Sequence, residues 1–228
     1  MTITQEIAAK VLHVVDAGLS SGVGEPKPGF MCVEAAVCYA LGLPHGDDPQ
    51  CVSRALRSLK IRLNDFNWSS KAARAAGLRR LAVAQLGSRD VLDDREFGKR
   101  VAELAIRKSA PSALRAAASL QKNAEHKDSL LKAANRCEVE GTRDAARSAR
   151  TVARAAYAAA AADADADADA DAYAAAAAYA AADAAAAADA DAKKARDKSL
   201  ADFAEGVVQI LIEMKAPGCE FLALTEAA

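Results

Sequence analysis

The stretch DPQCVSRALRSLKIRLND, residues 48–65, decides the fold class. Val52, Leu56, Leu59 and Leu63 recur at steps of four, three and four, which places them on one face of an α-helix. Arg54, Arg57, Lys60 and Arg62 take the remaining surface, so the spacing predicts an amphipathic helix with a solvated basic side. Asp48 stands where an N-cap belongs and Pro49 in the first helical position. Asn64 and Asp65 close the segment.

The same period continues outward in both directions. Toward the N-terminus, Thr2 or Thr4 caps a helix whose apolar positions are Ile7, Val11, Val14, Val15 and Leu19, ended by Gly22 and Gly24. After the loop EPKPG, a second helix runs from Phe30 to Leu41, with Gly42 at its C′ position and Pro44 following. Toward the C-terminus, Ser69 or Ser70 opens a helix through Leu78, Leu81 and Leu86. Asp93 or Asp94 caps the next, with Phe97, Val101, Leu104 and Ala105 as its stripe. Pro111 starts a sixth, and residues 126–139 form a seventh. Short polar loops between such helices read as a compact bundle or a stack of helical hairpins.

From about Thr142 to Lys198 the character changes. Alanine fills 31 of the 48 positions from Ala145 to Ala192, and neither glycine nor proline interrupts, so the local preference is helical. Unbroken, such a helix would span ~85 Å, longer than a bundle is wide. Asp163, Asp165, Asp167, Asp169 and Asp171 put like charges four residues apart. A kink or turn is expected there, or an acidic stripe neutralised by a basic partner. Alanine faces let a second helix approach at the short end of the usual ~8–10 Å, which predicts pairing or self-association. A last amphipathic helix begins at Ser199, carries Leu200, Phe203, Val207, Leu211 and Met214 on one face, and stops at Pro217 and Gly218. The expected fold is all-α. A helical bundle (1–140) is followed by an alanine-rich helix or helical hairpin (141–198) and a C-terminal helix (199–228) that packs back on the bundle.

Charge is distributed unevenly. Residues 1–50 carry a net −4, residues 51–115 a net +9, residues 116–155 a net +3 and residues 156–228 a net −9. A basic middle between acidic ends suits an anionic partner, and equally suits neutralisation by the chain's own tail, within or between subunits. Five cysteines without regular spacing argue for reduced thiols in the cytoplasm. The start MTITQEIAAK has no signal-peptide pattern, and no apolar run is long enough for a membrane span.

Chemistry-bearing residues concentrate in residues 30–52. Glu34 lies inside an otherwise apolar helix, with Cys38 one turn on. Such a carboxylate is either a group with a raised pKa or the anchor of a neighbouring arginine. His45, Asp47 and Asp48 follow in a turn, where they either form a small polar site with Glu34 or serve as turn and cap residues. Cys32 and Cys38 fall about 240° apart around a helix, which does not suit a zinc site, and no metal is expected. No nucleotide-binding loop, zinc-protease helix or nucleophile elbow occurs, so no catalytic residue and no cofactor is assigned. Arg143, Arg147, Arg150 and Arg154 recur at four, three and four and form one guanidinium stripe, to which Arg54 and Arg57 add two more. With few aromatics, extended nucleic acid is disfavoured and a small anion is the better fit.

The segment from Met31 to Asp65 also resembles an uncharacterised family found in bacterial and bacteriophage genomes. The resemblance rests on Cys32, Glu34 and Ala35, then Tyr39, Gly42 and Pro44, then Asp47, Pro49 and Cys51, and finally Leu63, Asn64 and Asp65. Members often end in alanine-rich tracts. The resemblance implies a phage-associated accessory protein and no known activity. Two functions are therefore expected in competition. One is a non-enzymatic, homo-oligomeric protein that holds a nucleotide-like anion among Arg54, Arg57, Arg143, Arg147, Arg150, Arg154, Glu34, His45 and Asp47, for example to sequester a host-defence signal. The other is a helical scaffold or inhibitor that binds a protein partner through its alanine-rich helix.

Overall fold

The computed structural model describes residues 2–161 and 190–226. Nine α-helices occur among those residues, and their only extended pairing is a single antiparallel bridge between Gly24 and Met31. The protein is all-α. The expected kink at Asp163–Asp171 lies outside the described residues. The chain divides into two compact units, one of residues 1–101 with 193–228 and the other of residues 102–192. The boundary expected at residue 140 thus falls inside the second unit, because the helices on either side of it pack on each other.

In the first unit, α1 (Gln5–Asp16), α2 (Val33–Ala40), α3 (Arg54–Asp65), α4 (Lys71–Ala84) and α5 (Asp94–Leu104, belonging to this unit through Val101) begin where short polar side chains accept backbone N–H groups. Thr4 caps α1, Ser53 caps α3, Ser70 caps α4 and Asp93 receives the amides of Arg95 and Glu96. The start of α3 differs from the expected Asp48–Pro49. Residues 49–52 form a turn instead, and Ser53 takes the cap while its own N–H donates to Ser88 Oγ at 2.9 Å. α9 (Ala190–Glu213) extends well before the expected Ser199, since nothing in KKARDK breaks a helix. Leu200, Phe203, Val207 and Leu211 are buried, and Met214 lies just past the helix end. Arg80 pairs with Glu205, and Asp197 accepts from the Ser69 amide at 2.9 Å, so α9 lies along α4. A 3₁₀ segment (Pro217–Thr225) then packs on α1 and α4.

The loop between α1 and α2 is shaped by Gly24. Its φ is +71°, and a Cβ there would fall 1.9 Å from the Phe30 carbonyl oxygen, so only glycine fits. Asn64, at the end of α3, pins this loop from below. Its Oδ1 accepts from Val33 N and its Nδ2 donates to Ser20 O.

In the second unit, a π-helical turn (Ala105–Ser109) leads into α6 (Ala110–Leu120), α7 (Ala124–Glu140) and α8 (Arg143–Ala161). Short connections at 121–123 and 141–142 make successive helices antiparallel neighbours. Leu114, Leu130 and Ile106 are the large members of a core otherwise made of Cys137 and alanines, among them Ala118, Ala134, Ala145 and Ala149. Gly141 ends α7 at φ +63°, and Arg107 covers that end by donating to the carbonyls of Glu138, Val139 and Glu140.

Candidate functional site

One ion pair joins α2 to α3 inside the first unit. Lys60 Nζ lies 3.4 Å from Glu34 Oε1, and neither side chain reaches solvent. This corrects the reading of Lys60 as part of a solvated face. Helix geometry places Lys60 about 40° around α3 from Leu56, nearer than Leu59 at about 60°. Leu59 is accordingly only half-buried. Of the two expectations for Glu34, a raised pKa or an arginine partner, the second is changed: its ion-pair partner is a lysine.

The pair is incompletely satisfied. Both Glu34 oxygens and Lys60 Nζ are buried without a hydrogen-bond partner. Burial strips hydration from each charge, which pushes the Glu34 carboxyl up and the Lys60 ammonium down, while their mutual attraction opposes both shifts. Cys32, Cys38 and Cys51 are buried close enough to feel these charges. Burial raises each thiol, Cys38 to about 11, so none is a ready nucleophile at neutral pH.

Beside the pair is a cleft of about 80 Å³. Glu34, Cys32, Asp47, Asn64, Asp65 and Gly22 line it, together with Val23, Val33 and Ile61. The fold thus gathers around one cleft Cys32, Glu34, Asp47, Asn64 and Asp65, which come from separate stretches of the sequence. Its polar groups are mostly acceptors. Asp65 Oδ1 receives Gly22 N at 2.7 Å and Asn64 Nδ2 at 2.9 Å. The amide groups at the start of α2 are spoken for, Val33 N by Asn64 and Ala35 N by Cys32 Sγ at 3.3 Å. The N-terminus of α2 therefore offers no anion site.

The remaining candidate residues take other places. Arg57 donates through Nη2 to Asp47 Oδ1 at 2.7 Å and through Nε to the Asp47 carbonyl, so this guanidinium ties down the turn before α3. The His45 ring contacts the Gly24 carbonyl oxygen at 2.9 Å, outside the cleft lining. Arg54 is exposed on the first turn of α3. Arg143, Arg147 and Arg154 are exposed on α8 and Arg150 is half-buried, while Arg147 pairs with Asp144 at 3.1 Å. No arginine lines the cleft, and the two arginine groups belong to different units. Among the described residues no group of three or more His, Cys, Asp or Glu is placed to hold a metal ion, and no helix is long and apolar enough to cross a membrane.

The sequence reading misses the burial of Lys60 and the bonds by which Asn64 and Asp65 hold the loop before α2. The angular position of Lys60, about 40° from Leu56 on the side away from Leu63, is the available signal. No protein-family model, curated protein or solved structure matches this chain.

Proposed function

We propose that the chain is a non-enzymatic helical interaction protein that assembles with copies of itself through its second unit and acts as a scaffold or inhibitor. The observation that carries this reading is the surface of that unit. Leu120 and Tyr157, 69 % and 68 % exposed, flank the hydrogen bond from Gln121 Nε2 to the Ala156 carbonyl. Val139 is 76 % exposed on α7. Large apolar groups left in water over an alanine core favour a partner surface. Arg80–Glu205 and Arg100–Glu213 already neutralise part of the acidic tail within the chain, so the reading rests on the apolar surface and not on charge. Light scattering on the double variant Leu120→Glu/Tyr157→Glu tests this. A smaller assembly with unchanged helix content is expected, and an unchanged mass would overturn the reading.

A second reading is favoured by the stripe on α8. Arg143, Arg147 and Arg154 are exposed on a helix face that suits phosphate or carboxylate, and a nucleotide-like anion would dock there, as a protein sequestering a host-defence signal requires. Arg143→Ala/Arg147→Ala should then weaken binding of an adenine dinucleotide probe without changing the assembly. Equal binding by the variant and the parent would remove this reading.

A further inference from the structure

We propose that Glu34 and Lys60 are a site of self-modification, at which their ion pair condenses to an amide that staples α2 to α3. This goes beyond self-assembly, since it concerns the first unit and needs no second copy.

Geometry supports this first. Lys60 Nζ stands 3.4 Å from Glu34 Oε1, an oxygen bonded to the carbon that the nitrogen would attack. Neither side chain reaches solvent, and no hydrogen bond engages Nζ or either carboxylate oxygen. Groups held together on one scaffold reach effective concentrations of about 10⁵ M and above. Asn64, one turn further along α3, is committed elsewhere, with Oδ1 accepting from Val33 N and Nδ2 donating to Ser20 O and Asp65 Oδ1. Glu34 is therefore the acyl group that meets the lysine.

Burial supplies the driving force. In water, solvation holds an amine and a carboxylic acid as unreactive ammonium and carboxylate. Loss of that solvation pushes the Glu34 carboxyl up and the Lys60 ammonium down, toward the neutral acid and the neutral amine. An uncharged amide in the same place escapes the desolvation that a buried ion pair must bear. In the step itself, one proton passes from Nζ to the carboxylate. The nitrogen lone pair then adds to Cδ and the C–OH bond breaks. A second proton leaves nitrogen with the hydroxyl, and one water departs into the cleft that Glu34 lines. The step needs no co-reactant. Chains that have not condensed keep the ion pair, and those that have are cross-linked between two helices, which restricts the unfolded chain.

Intact-mass spectrometry of the reduced full chain, incubated folded at neutral pH over days, tests this against the same chain incubated in urea. A fraction of the folded chain is expected to become lighter by one water and to grow with time, while the chain in urea keeps its sequence mass. Trypsin should then fail to cut the lighter species after Lys60 and should release residues 58–62 joined to residues 11–54. The double variant Glu34→Met/Lys60→Met replaces the pair with apolar side chains and, with its helix content checked, should keep its full mass. A folded chain that retains its sequence mass would overturn the proposal. So would equal loss in urea, loss by the folded double variant, or a lighter chain still cut after Lys60.

Discussion

The two units of this protein are built from different materials. The first buries Leu19, Leu56, Leu78, Leu81, Leu86, Phe97 and Leu211, side chains that each contribute about 1.5–3 kcal/mol on burial. That surplus allows it to enclose a charged pair whose desolvation is only partly offset. Among the described residues, the core of the second unit has three large aliphatic side chains, the rest being Cys137 and alanine. It leans on helix ends instead, with Asn123 accepting from two amides at one end of α7 and Arg107 covering three carbonyls at the other. A thick core tolerates a buried polar site, whereas a thin one leaves apolar groups outside and stability to be gained by association.

The largest expected effect sharpens the first half of that contrast. Lys60→Met should cost about 3–5 kcal/mol in denaturant unfolding, because it leaves a buried carboxylate unpaired, whereas adding Glu34→Gln should recover part of the loss. The penalty should also depend on pH. Without Lys60 the Glu34 carboxyl loses its main charge-favouring neighbour and stays above its ordinary 4.5 in the folded chain. The folded state then binds more protons than the unfolded one, so the variant loses stability as pH rises from about 4.5 toward the folded value.

Leu130→Ala attacks the thin core. A loss of about 2–5 kcal/mol is expected, with amide-exchange protection falling in α6–α8 and little changed in α1–α4. Gly141→Ala should cost about 1–3 kcal/mol, since a side chain at φ +63° is strained and its Cβ would meet the Arg107 guanidinium. Smallest is Asn123→Ala, about 1 kcal/mol for the lost cap, read as a shift in the unfolding midpoint. Equal losses from Leu130→Ala in the protection of both units would break the comparison.

Much of this was legible from spacing and caps. Apolar steps of three and four marked α1, α3 and α5, and Thr4, Ser70 and Asp93 sat where a helix start needs an oxygen. The start of α3 was misplaced because Asp48–Pro49 is a good local signal that lost to a tertiary one, the bond from Ser53 N to Ser88 Oγ. Lys60 was misassigned because residue type outweighed angle; a lysine on an apolar face is buried only when a carboxylate on another helix meets it. Glu34, Asp47, Asn64 and Asp65 come from separate stretches, and their meeting at one cleft depends on how α2 crosses α3. No one-dimensional spacing encodes that crossing. Arg57, one of the arginines expected to meet a ligand, is engaged by a neighbour, Asp47, ten residues earlier in the chain.

Native mass spectrometry of the purified chain tests the central claim, that the second unit completes itself with another copy. The account predicts a defined multiple of the 23.6 kDa chain, reduced in the Leu120→Glu/Tyr157→Glu variant. A bare monomer at every protein concentration would contradict it.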